Sequence, residues 1–161
     1  MAISNVLDRN TGPSVVGEPP TNLVPAMLVE HLGTAVLALG GQQVPMPGLL
    51  RLRPFLRRYL GRPVVVGIRP EHLQDAVVGR PAAAGPAVLV LHGVVRRIEP
   101  VGPDQFVHLE LADADGDRSP APTVVARVSG RSRAGVDAPI MLAVDMRHLM
   151  VFDVDSGRGL W

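Results

Sequence analysis

The chain predicts an all-β fold: an OB-fold-like small barrel, or two related barrels, of short antiparallel strands with one short amphipathic helix near residues 52–60. Three observations carry this. Apolar runs are short and β-branched, 17 Gly and 16 Pro punctuate them, and only one stretch repeats its apolar residues at helical spacing. With 161 residues and 47% hydrophobic content the chain can bury a core, which argues against disorder throughout.

The elements follow in order. Residues 1–20, rich in Asn, Gly, Pro and Ser, read as a lead-in or linker, and residues 21–161 as the β domain. Within it, two OB-like halves are expected at about 21–80 and 86–161. Leu23 to Val29 is a strand, His31 to Gly33 a turn, and Thr34 to Leu39 the hairpin partner. Gly40-Gly41 ends that pair, and Gln43 to Met46 forms an edge strand, because Pro45 cannot donate to a central ladder. Between Leu50 and Leu60 the residues Leu52, Phe55, Leu56, Tyr59 and Leu60 would face the core of a single helix. Pro54 then falls in its first turn, and Arg51, Arg53, Arg57 and Arg58 form the solvated side. Val64 to Ile68 is a buried strand, Arg69 to Glu71 its turn, and Ala82 to Pro86 a connector. Val88 to Glu99 is a long strand, with a bulge or bend expected at Gly93, paired with Phe106 to Leu111. There Val107, Leu109 and Leu111 alternate with His108 and Glu110, so one face is buried and the other wet. Asp113 to Ala121 is a polar loop, and Thr123 to Val128, Ile140 to Val144 and Met150 to Phe152 are the closing strands. An internal echo links Val66-Gly67-Ile68 followed by His72-Leu73 to Leu142-Ala143-Val144 followed by His148-Leu149.

Composition and motifs exclude several function classes. The 16 positive charges are all Arg and nearly cancel 15 acidic residues, and aromatics make up 3%, so neither a nucleic-acid footprint nor a base-stacking surface is expected. Without Cys there is no disulfide, thiolate metal site or Cys nucleophile. Without Lys there is no phosphate-cradling loop of the ATP-binding kind, although Leu39-Gly40-Gly41-Gln42 resembles part of an ABC signature sequence. Asp113, Asp115 and Asp117 alternate as in a calcium loop, but Gly116 is misplaced and Val124 stands where the bidentate Glu belongs. Gly130 to Ala134 approaches a nucleophile elbow but lacks its closing Gly. His31, His72, His92, His108 and His148 offer no i, i+4 pair for a metal. No catalytic, cofactor-binding or metal-ligating residue is expected.

The most informative stretch is Gly67, Ile68, Arg69, Pro70, Glu71, His72 and Leu73, preceded by Val64-Val65-Val66. Physically it reads as a buried strand followed by one helical turn opened by Pro70, with Glu71 near its amino end and Leu73 returning to the core; Arg69 is expected to pair with a carboxylate across the barrel. The heptad resembles the hallmark of the C-terminal regulatory (TOBE, OB-fold-like) domain in ATPase subunits of maltose-type and glycerol-phosphate-type ABC importers. Gly17 to Asn22, Gly40-Gly41 through Pro47, and Val144-Asp145 through Gly157-Arg158 resemble that domain's entry, hairpin and closing segments. The Arg-rich insert from Leu50 to Arg62 is longer than that pattern, and residues 1–14 do not resemble the end of an ATPase domain. The resemblance implies a regulatory and dimerisation domain without its nucleotide-binding domain, where ATP and magnesium would bind. It also implies a homodimer that meets permease subunits and a regulatory protein, in the cytoplasm at the inner face of the membrane. The heptad would serve architecture or contact with the regulator. The rival reading is a free-standing module for an oxyanion or oligosaccharide.

Overall fold

A computed structural model describes residues 19–78, 88–112 and 121–161. The connector at Ala82 to Pro86, the loop at 113–120 and nearly all of the expected lead-in lie outside the described residues. The strands are β1 (Asn22–His31), β2 (Thr34–Leu39), β3 (Gln42–Met46), β4 (Arg62–Ile68), β5 (Gln74–Asp75), β6 (Val88–Val101), β7 (Asp104–Leu111), β8 (Thr123–Ser129), β9 (Pro139–Asp145) and β10 (Met150–Asp153). They form two five-stranded antiparallel sheets, ordered β10-β4-β1-β2-β3 and β5-β9-β6-β7-β8. The all-β, OB-fold-like reading holds.

The first sheet collects β1 to β4 from the first part of the chain and closes with the last strand, β10. The second collects β6 to β9 and closes with β5, which precedes them. The exchange is reciprocal in register: Gln74 opposes Ala143 and Asp75 opposes Leu142, while Met150 opposes Gly67 and Val151 opposes Val66. One sequence offset carries each pair onto the other, so the two sheets are related by a pseudo-twofold that passes near the turns after β4 and β9. Sheet membership thus crosses the connector between the two halves twice. Both sheets contribute to one continuous core, from Val24, Leu28 and Leu37 to Val107, Leu109 and Leu142.

Local chemistry explains the elements. The β1–β2 hairpin turns on Leu32 and Gly33, with φ of 49° and 78°, and the β2–β3 hairpin on Gly40 and Gly41, with φ of 53° and 74°. Two consecutive left-handed residues match the twist of the flanking strands, which is why Gly-Gly ends β2 where the sequence indicated. β3, with Pro45, lies at a sheet edge as expected.

Two expectations are corrected. The stretch from Leu50 to Leu60 is not one helix but a single α-turn, α1 (Leu49–Leu52), followed by a 3-10 helix over Pro54–Tyr59. Pro54 disfavours helical backbone at Arg53, whose φ of −132° and ψ of 69° break the run. The resulting rotation buries Leu49, Leu50 and Leu56 and leaves Leu52 and Phe55, expected in the core, 74% and 40% exposed. Nor is Gly93 the bulge of β6. The register shift falls between Val95 and Arg97, and Gly93 serves close approach: a Cβ there would stand 2.3 Å from Leu109 Cδ1 and 2.8 Å from the Glu110 carbonyl oxygen.

Candidate functional site: the paired turns at the pseudo-twofold

β4 and β9, the second strand of each sheet, each run into a single 3-10 turn, Pro70–His72 after β4 and Met146–His148 after β9. The turns open by different chemistry. After β4 no side chain caps the turn, and Pro70 supplies a residue that needs no amide partner and already has a helical φ. After β9 the Asp145 carboxylate accepts the Arg147 backbone N–H at 2.9 Å. Arg147 also folds its guanidinium back onto Asp145, and these bonds hold the Asp145 carboxyl down at about 2.

His72 and His148 end the two turns and stack face to face, with ring centroids 4.1 Å apart and planes inclined by 19°. The Nδ1 of His72 is buried with no hydrogen-bond partner among the described residues. Burial, and after it the neighbouring His148, push the pKa of His72 below 6.5. A charged imidazolium would be poorly solvated there, stacked against a second imidazole ring.

The heptad divides accordingly. Gly67 lies in β4 under Phe152 and Met150, Ile68 and Leu73 are almost fully buried, and Pro70 is buried. Arg69 and Glu71 point outward and lie within 4.0 Å of each other, both more than half exposed. This corrects the expectation that Arg69 pairs across the barrel: the extended backbone at Arg69 turns its side chain away from the core and towards its own turn. Such an exposed pair contributes little stability.

Sequence reasoning missed the polar groups that join the two sheets. The Asn22 side chain donates to the Ile68 and Val125 carbonyls at 3.0 and 2.9 Å, and its oxygen accepts the Val125 N–H at 2.7 Å. Gln42 does the same for the other edge, donating to the His92 and Ala112 carbonyls and accepting the His92 N–H at 2.9 Å. Each buried amide replaces a missing rung between an edge strand and the opposite sheet. Asp75 is likewise buried, accepting from the Val77 N–H and from the Ser132 hydroxyl. The only signal for Gln42 was its place after Gly40-Gly41, where the position of the turn sets its direction; for Asp75 there was none.

Two clefts flank the turns. One, of about 360 Å³, is lined by Glu71, Gln74, Asp75, Asp104, Arg127 and Ser129. The other, of about 450 Å³, is lined by Leu49, Leu52, Met146 and Trp161 with Arg51, Arg53 and Arg147 at its edge. Among the described residues no cluster of three or more His, Asp or Glu is placed to hold a metal. The residues do not fit a nucleotide phosphate site either: the chain has no Lys, and Gly40-Gly41 form a hairpin turn with Leu111 packed against Gly40. Ser132, in the elbow-like segment, donates to Asp75 with no histidine between them. No described helix is long and apolar enough to cross a membrane.

Comparison with known proteins gives the turns a context. A family model of the MalK OB fold domain matches residues 17–73, and one of the TOBE domain matches residues 66–152. The chain is similar to the sn-glycerol-3-phosphate import ATP-binding protein UgpC of Chromohalobacter salexigens, at 30% identity over 90% of this chain and 33% of that protein. It is similar to the trehalose import ATP-binding protein SugC of Mycobacterium tuberculosis, at 30% over 90% of the chain and 39% of that protein. It also resembles the trehalose/maltose import ATP-binding protein MalK of Thermococcus litoralis, at 27% over 91% and 36%. The chain therefore spans little more than a third of the length of these relatives. Among solved structures it shares the fold of the cytoplasmic molybdate-binding protein ModG, with a TM-score of 0.50, 16% identity, and coverage of 85% of this chain and 97% of that one.

Proposed function

The chain belongs to the TOBE domain family, and from that membership we propose that it is the regulatory and dimerisation domain of the ATP-binding subunit of a sugar or glycerol-phosphate ABC importer. The observation that carries the reading is the meeting of two family matches over residues 66–73, the segment that holds the heptad and the first 3-10 turn. Relatives named as import ATP-binding proteins contain this part as a minority of their length, so ATP, magnesium and hydrolysis belong, in this reading, to a nucleotide-binding domain. The working partners are a second copy, that domain, permease subunits and a regulatory protein, at the inner face of the cell membrane. Outward-pointing Arg69 and Glu71 are the heptad residues available to a regulator.

Support for self-association comes from the outer face of the second sheet. Val90 and Met141 are each 42% exposed there, on adjacent strands β6 and β9. Without the other domains the contact is weak, so dimers form with rising concentration. Sedimentation from micromolar to near-millimolar protein tests this; a strict monomer throughout removes the dimerisation role. A second reading, a free-standing binding module for an oxyanion or oligosaccharide, draws on the fold shared with the molybdate-binding protein. Calorimetric titration with molybdate, sulfate, phosphate and a panel of sugars separates the two. Micromolar heat from any of these favours the module, and micromolar affinity for magnesium-ATP overturns the assignment of nucleotide chemistry to another domain.

A further inference from the structure

We propose that the cleft between α1, the Met146–His148 turn and Trp161 is a binding site for a compact aromatic carboxylate. The inference does not rest on the importer reading: it concerns a ligand that this chain holds by itself, in a cleft lined by neither Arg69 nor Glu71.

Three segments far apart in sequence build the cleft, and each is held by bonds of its own. Arg53 donates its backbone N–H to the Leu49 carbonyl at 2.7 Å, which closes α1. The Asp145 carboxylate caps the Met146–His148 turn through the Arg147 N–H. Trp161 is tied to β10, its carbonyl accepting the Val151 N–H at 3.0 Å, with Leu160 buried beside it. The cleft is therefore formed before any ligand arrives. Its volume of about 450 Å³ lies in the range of small-molecule sites, roughly 300–1,000 Å³.

The lining selects the chemistry. Its walls are Leu49, Leu52, Met146 and Trp161, and its charged side chains are Arg51, Arg53 and Arg147. The weak thioether aside, these side chains offer hydrogen-bond donors and no acceptor. Arg147 is neutralised by Asp145, whereas Arg51 and Arg53 join no ion pair among the described residues, and the sequence from Gly48 to Ile68 contains no acidic residue. The group that complements them is a negatively charged acceptor, and a guanidinium fork fits a carboxylate with two parallel bonds. The body of the ligand meets an indole and a thioether, which pack on aromatic rings, and guanidinium planes stack on such rings as well. A sugar fits poorly, because its hydroxyls would donate to a lining that has no carboxylate or amide side chain to receive them. A bare oxyanion would leave the apolar walls wet. Leu52, at 74% exposure, gives the cleft an apolar lip that an aromatic ring would cover.

The chain has a single tryptophan, so the one indole N–H resonance of isotope-labelled protein reports on this cleft. Titrating the full chain with naphthoate should shift that resonance saturably, with half-saturation below about one millimolar. Naphthamide, of the same shape without the charge, should bind at least about tenfold more weakly. Arg51→Gln with Arg53→Gln should weaken naphthoate binding about tenfold or more at an unchanged melting temperature, since both side chains are exposed. Arg57→Gln with Arg58→Gln removes the same charge from the same insert outside the cleft and should leave the affinity within about twofold, because exposed charges away from the ligand are screened. The proposal is overturned by the absence of a saturable shift, by equal affinity for naphthamide, which would make the walls an unselective apolar contact, or by equal weakening in the two double variants, which would reduce the cations to a general field. Tighter binding of glycerol phosphate, trehalose or octanoate than of naphthoate also overturns it, assigning the cleft to a polar phosphate, a sugar or an acyl chain.

Discussion

His72 and Leu73 are neighbours in the chain and opposites in environment. Leu73 has no exposed surface and closes the core beneath the turn, whereas His72 lies partly open against His148. Leu73→Asp should therefore destabilise the fold by several kcal/mol, the scale of burying an unpaired carboxylate, and His72→Ala far less. Comparable melting temperatures for the two variants would contradict an architectural role for the heptad. His72 also makes stability depend on pH. Its pKa is below 6.5 in the folded protein, because of burial first, then the proximity of His148, with Arg69 adding to the effect and Glu71 and Asp145 opposing it. The unfolded chain thus binds this proton more readily, and stability should decline as pH falls below about 6.5. Urea midpoints between pH 7.5 and 5.5 should slope less in His72→Gln than in the parent; equal slopes would show that another group titrates.

At the scale of the elements, two glycines do different work, one in a hairpin turn and one inside a strand. Gly40 supplies a left-handed turn residue, whereas Gly93 in β6 leaves room for Leu109 and the Glu110 carbonyl of β7. Gly93→Ala should cost about 2 kcal/mol, since Leu109 can shift but the backbone oxygen at 2.8 Å cannot do so without disturbing the ladder. Leu32 presents the reverse case. It holds φ of 49° at 92% exposure, paying for a left-handed backbone without burying its side chain. Leu32→Asn, which restores the favoured Asn-Gly pair, should raise stability by about 1 kcal/mol in chemical denaturation. A loss of stability would show that the exposed leucine makes contacts beyond the turn.

At the scale of the molecule, the reciprocal placement of β5 and β10 means that neither sheet is complete without the other part of the chain. Asn22 and Gln42 add hydrogen bonds across the same divide, to Val125 and His92. Unfolding should therefore be a single transition. Trp161, whose carbonyl accepts the Val151 N–H at 3.0 Å, reports on β10, and far-UV circular dichroism reports on both sheets. The two signals should coincide across urea; separate midpoints would mean that the sheets melt independently.

The sequence by itself determined every described strand except β5, the all-β class and the family, because alternation, Gly-Gly turns and the Gly67 to Leu73 heptad are local patterns that short-range sterics and burial make legible. It also showed the echo between His72-Leu73 and His148-Leu149. What the echo means was decided only by the tertiary structure. Two residues of β5 carry no periodic signal, and their pairing with β9 depends on the pseudo-twofold that brings distant segments together. The same holds for the stacking of the two histidines and for the buried amides of Asn22 and Gln42, whose partners lie far along the chain. The helix prediction failed for a related reason. Helical spacing between Leu50 and Leu60 was real, but the backbone restriction before Pro54 broke the period, and the core then selected Leu49, Leu50 and Leu56. Long-range pairing and the choice of which face is buried are set by the whole fold's demand to fill one core and satisfy its edges, and that demand has no local signature.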